Sequence, residues 1–211
     1  MHRIRTELGR GAYLDMYLEW LDEPDTWLDR LIREQCWQAR AIQVFGRDVM
    51  QPRLIDWAGG LPYRYSGQTL EPRPWTRSLN ELLHRVVLRT GVLYNHALLN
   101  RYRDGQDHMG MHADDEPELG RCPSIAAVSL GARRRFVLAP KRGRDRRTVW
   151  LEPGSLLVMG GSTQHGWRHG VPRQSTVTTE RINVTFRFLT CNPRSRRRAG
   201  APRRGVRGAQ G

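Results

Sequence analysis

The sequence predicts a mainly β fold, a sandwich or barrel with helices set in front of it. Three observations carry this expectation. Two segments before residue 91 have helical spacing. Six short β-rich runs follow residue 92, separated by Gly, Pro and Asp. The last of these runs alternates polar and apolar residues without a break. Many short strands following an early helical region suit a closed or two-layered β architecture better than a helical bundle.

The elements follow in chain order. Asp25 stands as an N-cap before Trp27, Leu28, Leu31 and Ile32, which recur at helical intervals. A second helix is expected after Pro74, from a Ser78-x-x-Glu81 capping box, through Leu79, Leu82, Leu83, Val86 and Val87, to Gly91. The strand-like runs are 93–102, 124–130, 134–139, 148–151, 154–159 and 181–188. Within the first, Asn100 and Tyr102 are two apart and so share a face. In the last, Arg181, Asn183, Thr185 and Arg187 share one face, with Ile182, Val184 and Phe186 on the other. Taken alone, that polar face reads most simply as the wet side of a surface strand. The alternative is a cavity wall that holds an anion. A dicarboxylate would suit it, because a guanidinium forks onto a carboxylate.

A chain of 211 residues and 24.4 kDa fits one domain, and 38% hydrophobic residues provide for a real core. No apolar run approaches the ~18 residues of a spanning helix, and residues 1–25 show no secretory signal pattern. The three cysteines, Cys36, Cys122 and Cys191, are scattered and odd in number, which points to a reducing compartment. The formal net charge is +14, and 34 of the 35 basic residues are arginine. That sign favours a polyanionic partner, nucleic acid before membrane. The charge is local. Residues 190–211 hold seven arginines and no acid, in a Gly/Pro/Ala/Ser background that reads as a disordered basic tail. Residues 133–147 hold eight basic residues and only Asp145 in opposition; the rest of the chain balances. No membrane role is expected, and the chain is expected to act as a cytoplasmic monomer, nucleoid-associated in a bacterium or nuclear in a eukaryote.

His112-x-Asp114 sets two metal-ligand types at i, i+2, where an extended backbone turns both the same way. With a distant histidine they would form a two-histidine, one-carboxylate triad with open positions for oxygen chemistry on Fe(II). The dipeptide pattern is common by chance, and spacing leaves His96, His108, His165 and His169 as competing third ligands. Context strengthens the pattern. Polar faces flank it on both sides, at Asn100 and Tyr102 and in the Arg181 strand.

These residues resemble the AlkB-type Fe(II)/2-oxoglutarate dioxygenases, specifically the DNA-repair branch. The matching run covers roughly residues 40–189. It includes Val44-Phe45-Gly46, Tyr63-Arg64-Tyr65-Ser66-Gly67, Leu99-Asn100-Arg101-Tyr102-Arg103-Asp104-Gly105 and His112-Ala113-Asp114-Asp115-Glu116. It continues with Ile125-Ala126-Ala127-Val128-Ser129-Leu130-Gly131, Gly154-Ser155-Leu156-Leu157-Val158-Met159, His169-Gly170-Val171-Pro172 and Arg181-Ile182-Asn183-Val184-Thr185-Phe186-Arg187. The resemblance implies a double-stranded β-helix, a jelly-roll or cupin-like barrel with bracing helices. It divides residues 1–189 into an N-terminal helical and nucleotide-recognition extension, about 1–91, and a β-helix core, 92–189.

The same resemblance implies His112, Asp114 and His169 as catalytic iron ligands, the His-Gly-Val-Pro context selecting His169. It implies Asn100, Tyr102, Arg181, Asn183, Thr185 and Arg187 around 2-oxoglutarate, with Arg181 on the distal carboxylate and Arg187 near the metal end. O2 is the other co-substrate. The implied reaction is oxidative demethylation of N1-methyladenine and N3-methylcytosine in DNA, with 2-oxoglutarate converted to succinate and the methyl carbon released as formaldehyde. Methylated RNA is an alternative substrate, and a non-catalytic basic nucleic-acid-binding barrel an alternative function. Substrate contacts are implied at Phe45, Gly46 and Arg47 as a base-flipping finger, at Tyr63, Arg64 and Tyr65 as a stacking wall, and at Asp115 and Glu116 on the base edge. The 133–147 cluster would grip backbone phosphates.

Overall fold

The computed structural model describes residues 2–44, 46–65 and 67–190. The chain opens on a hairpin, β1 (Arg3–Gly9) and β2 (Ala12–Tyr17), followed by α1 (Pro24–Glu34). Short strands come next: β3 (Ala41–Val44), β4 (Arg47–Met50), β5 (Leu54–Gly59), β6 (Tyr63–Tyr65) and β7 (Gln68–Leu70). After α2 (Arg77–Thr90) lie β8 (His96–Tyr102), β9 (Met109–His112), β10 (Ile125–Gly131), β11 (Arg134–Pro140), β12 (Arg147–Leu151) and β13 (Leu156–Gly161). A helical turn, α3 (Thr163–Gly166), leads into β14 (Trp167–Val171), and β15 (Arg181–Arg187) closes the fold.

Seven strands form one antiparallel sheet in the order β1-β2-β13-β10-β15-β8-β5. Four form a smaller sheet, β12-β11-β14-β9, and two hairpins, β3-β4 and β6-β7, stand apart. The central strands of the large sheet, β8, β10 and β15, are buried on both faces, while β1 at its edge is exposed. On the outer face, Ala126, Val128, Leu130, Ile182, Val184 and Phe186 pack against Trp27 and Leu31 of α1 and Leu79, Leu82 and Val86 of α2. On the inner face, Ile125, Ala127, Leu157 and Met159 meet Phe136, Leu138, Leu151 and Trp167 of the small sheet. Each of the Val, Leu, Ile, Phe and Met side chains among them contributes about 1.5–3 kcal/mol by leaving water. The result is the jelly-roll arrangement with bracing helices that the sequence predicts, and its open interior lies between the two sheets.

Both helices are where their periodicity puts them, but their starts differ from expectation. Pro24 opens α1, Glu23 occupies the N-cap position without a side-chain bond, and Asp25 sits in the first turn. For α2 the cap is Thr76, whose hydroxyl accepts from the Leu79 N–H at 3.4 Å. Ser78 is recruited elsewhere: its hydroxyl and N–H both donate to the Glu34 carboxylate, at 2.5 and 3.0 Å, tying α2 to the end of α1. Gly91 terminates α2 at φ 68°, as its position predicts. The large sheet also crosses the boundary expected near residue 91, since β2 pairs with β13 and β5 with β8. No helix among the described residues is long and apolar enough to cross a membrane. The arginine-rich segment 191–211, with Cys191, lies outside the described residues, and Cys36 and Cys122 are free thiols.

Candidate metal centre and anion cavity

Two of the candidate ligands sit on neighbouring strands of the small sheet. His112, at the end of β9, is the register partner of His169 on β14, and their rings lie 4.3 Å apart edge to face. Asp114 follows two residues after His112, with Oδ2 3.6 Å from His169 Nε2. One ligand atom from each of the three falls within 4.8 Å of the others, a spacing that suits a single metal ion. Among the competing histidines, His165 is exposed and bonded to the Arg121 carbonyl, His108 bonds the Gln106 carbonyl, and His96 is buried against Tyr63.

Local bonds prepare the three residues for this role. His112 Nδ1 donates to the Gly110 carbonyl at 3.0 Å, which leaves the Nε2 lone pair free. Arg187 Nη2 donates to Asp114 Oδ1 at 2.6 Å, while Oδ2 is buried with no hydrogen-bond partner. Burial pushes the Asp114 carboxyl up, but Arg187 and the two imidazoles outweigh it and hold the group at about 2. Burial, reinforced by His112, lowers His169 to about 3, so its imidazole is neutral. Burial lowers His112 too. A carboxylate and two neutral imidazoles, all deprotonated at neutral pH, are the donor state a divalent cation requires.

Asn183, Thr185 and Arg187 of β15 line this interior and Arg181 is buried next to them on the same face, so that face is not a wet outer surface. Arg181 and Arg187 are 0% and 2% exposed. Arg181 has no carboxylate partner among the described residues. It donates through Nη2 to Ser129 Oγ at 3.0 Å and Asn183 Oδ1 at 3.1 Å, while Nε and Nη1 are buried and unpaired. Burial lowers its pKa to about 10, still well above neutrality. An uncompensated guanidinium in a dry interior calls for an anion, and a carboxylate matches its free fork. Asn183 Nδ2 donates to Thr185 Oγ1 at 2.7 Å, and Asn100, Tyr102, Asn183 and Thr185 line the same cavity as His112, Asp114 and His169. The geometry therefore fits a metal at one end and a carboxylate-bearing ligand reaching the other.

The expected substrate residues divide. Tyr63 and Tyr65 share a face of β6 and are both buried, whereas Arg64 points to solvent. Tyr65 is fixed by a bond from Arg53 Nη2 at 2.7 Å, and Tyr63 packs on the His96 ring at 4.9 Å. Asp115 accepts from Lys141 Nζ at 2.8 Å. Glu116 is partly buried beside Tyr63 and Asp114, and burial and the Asp114 charge push its carboxyl up. Phe45 lies outside the described residues; Gly46 and Arg47 are exposed. The 133–147 cluster is not uniform. Arg134 is fully buried and donates to the carbonyls of Asp104, Asp107 and Pro172, so it braces two loops and is not free for phosphate.

Two supporting residues escape sequence reasoning. Gln164 of α3 accepts the Asp114 N–H at 2.9 Å, fixing the ligand loop from fifty residues away. Arg53 donates to Asn100 Oδ1 and to Tyr65 Oη, both at 2.7 Å, linking the β6 hairpin to the cavity wall. The bonds of Gln164 and Asn100 are long-range, and no local spacing announces them.

Comparison with known proteins agrees with this geometry. Residues 13–187 match the family model of the 2OG-Fe(II) oxygenase superfamily. The chain is 40% identical over 190 residues to human "Alpha-ketoglutarate-dependent dioxygenase alkB homolog 3", covering 85% of this chain and 65% of that protein. It is 43% identical over 158 residues to bovine "DNA oxidative demethylase ALKBH2", covering 70% of this chain and 57% of the relative. Against the Arabidopsis thaliana protein of the latter name it is 32% identical over 223 residues, 89% of this chain and 69% of that one. It thus spans slightly less than two thirds of the human relative's length. The solved structure of OsALKBH1 superposes with a TM-score of 0.63 at 16% identity, over 88% of this chain and 100% of the other, a likeness of fold.

Proposed function

Because the chain belongs to the 2OG-Fe(II) oxygenase superfamily, in its AlkB-type branch, we propose that it is a dioxygenase that oxidatively removes alkyl groups from ring nitrogens of nucleobases in DNA. The observation that carries this reading is the pairing of a His112/Asp114/His169 cluster with the buried Arg181, whose Nε and Nη1 are unpaired, on the β15 face that lines the same interior. When bound, Fe(II) and 2-oxoglutarate supply the oxidising chemistry: O2 is consumed, 2-oxoglutarate becomes succinate and CO2, and an N-methyl carbon leaves as formaldehyde.

The protein's own residues bind, orient and exclude water. His112 and His169 offer neutral imidazole nitrogens, and Asp114 offers Oδ2 while Arg187 holds Oδ1. Arg181 neutralises the distal carboxylate of the keto acid, and Asn183, Thr185, Asn100 and Tyr102 orient it. Phe136, Leu157, Met159 and Val171 keep the interior dry, which strengthens each of these charge interactions. The alkylated nitrogens of N1-methyladenine and N3-methylcytosine lie on the Watson–Crick edge, so the base must leave the stack or arrive single-stranded. Tyr63 and Tyr65 would form the wall beside that base, with Asp115 and Glu116 at its edge.

A panel of oligonucleotides carrying N1-methyladenine or N3-methylcytosine, offered as single-stranded DNA, duplex DNA and RNA, tests the substrate. DNA is expected to be restored, and His112→Ala to abolish the reaction. Restoration of RNA alone would move the reading to RNA. Failure on every strand by iron-loaded protein would end it.

A further inference from the structure

Outside the metal interior, the structure has a second concavity, a groove between the tip of the β1-β2 hairpin and the start of the β11-β12 hairpin. Its floor is apolar, made of Leu8, Ala12, Pro140 and Trp167, and its walls carry Arg10, Lys141, Arg142 and the imidazole of His165. No carboxylate lines it. Arg10 is held in place by its backbone: it sits at φ 54° between Gly9 and Gly11, and Ser162 Oγ donates to its carbonyl at 2.7 Å. Arg142 and Arg10 are exposed, and no acidic partner to either is found among the described residues.

Two links place the groove close to the metal site. Trp167 lies two residues before His169 on β14, a displacement of about 6–7 Å along a strand. Lys141 reaches from the groove wall to Asp115, the residue after the ligand Asp114. An apolar floor between cationic walls is the arrangement that single strands favour. Phosphates follow the charge, while bases and sugars cover the apolar strip. A duplex would need a wider, flatter face.

We propose that this groove binds the single-stranded DNA flanking the target nucleotide, with Arg10 and Arg142 as phosphate contacts. The inference rests on the nucleic-acid reading above and names the path of the strand. Its test uses unmethylated DNA and needs no turnover, so it can fail while the dealkylase reading stands, and the reverse.

The probe is a fluorescein-labelled 15-nucleotide oligo-dT, with binding followed by anisotropy across a salt series. Arg10→Glu with Arg142→Glu is expected to weaken binding about tenfold or more at 100 mM salt. Loss of two phosphate contacts should also flatten the log–log salt slope by about 1.4, at roughly 0.7 per contact on single strands. The neutral pair, Arg10→Gln with Arg142→Gln, should give a smaller loss in affinity with a similar fall in slope. Arg33→Glu with Arg77→Glu, exposed positions on the helical side, removes the same net charge and should change affinity less than twofold. Equal losses in the groove and helix variants would reduce the effect to net charge and overturn the proposal. So would unchanged affinity in the groove variants, or a loss confined to duplex DNA.

Discussion

At the level of single residues, the interior is defined by charges that lack ordinary partners. Arg181 is the clearest case, since a buried guanidinium with two unpaired N–H directions is costly unless an anion arrives. Replacing it with Ala should raise the KM for 2-oxoglutarate about 10- to 100-fold, the range for a charged hydrogen bond worth about 1.5–3 kcal/mol, with iron affinity little changed. A change in kcat alone would contradict the role. His96 gives a second residue-level prediction. It is 1% exposed with neither ring nitrogen bonded, and burial, aided by Arg187, lowers it to about 3 from 6.5. The unfolded chain therefore takes up this proton first as pH falls. His96 costs nothing above pH 6.5 and progressively lowers stability below it, until the folded group titrates near 3. Relative to His96→Phe, the wild type should lose on the order of 2–3 kcal/mol between pH 6.5 and 4.5. Denaturant midpoints at several pH values measure this, and parallel acid limbs would refute it. The His112/Asp114 pair and the Arg181 face were readable from the sequence because i, i+2 spacing alone reports which side chains share a face. The choice of His169 over His165 was not readable from spacing, since only the pairing of β14 with β9 separates them. Gln164 and Arg134 were invisible for the same reason, their partners being distant in the chain.

Among the elements, β15 decides the most. Its apolar side seats the two helices and its polar side furnishes the cavity, so one strand links the fold to the chemistry. Its alternation was legible, but whether the polar side met water or an interior depended on the opposing sheet. The capping box at Ser78 failed for a related reason: Glu34, from the neighbouring helix, takes Ser78, and Thr76 caps instead. The loops that follow β8 and β14 are joined backbone to backbone. Gly105 N–H donates to the Val177 carbonyl at 2.8 Å, and Gln174 N–H donates to the Gly105 carbonyl at 2.9 Å. A Cβ at residue 105 would lie 1.8 Å from the Gln174 carbonyl oxygen, so the backbones would have to separate. Gly105→Ala should destabilise the protein by about 1–3 kcal/mol. Hydrogen exchange should show the loss of protection centred on residues 103–108 and 172–177. An exchange pattern identical to wild type would mean that this junction does not hold the two loops together.

For the whole molecule, the +14 net charge is best regarded as two local features on an otherwise balanced chain. The hairpin cluster, with Arg134 withdrawn into the core, borders the groove and the metal interior. The seven arginines of residues 190–211 add a second cationic region. Deleting that segment should weaken DNA binding and flatten its salt dependence while leaving turnover of a short methylated oligonucleotide within about twofold. An unchanged salt slope would remove the segment from the binding account. The central claim is that one interior couples 2-oxoglutarate consumption to removal of an alkyl group from a nucleobase. Its most direct test is a single reaction with Fe(II), O2, 2-oxoglutarate and an N1-methyladenine oligonucleotide in which succinate, formaldehyde and restored adenine are all counted. The account predicts equal amounts of the three, with none formed by His112→Ala or Asp114→Ala. Succinate formed at the same rate with and without the methylated oligonucleotide, and no formaldehyde from iron-loaded wild type, would contradict it.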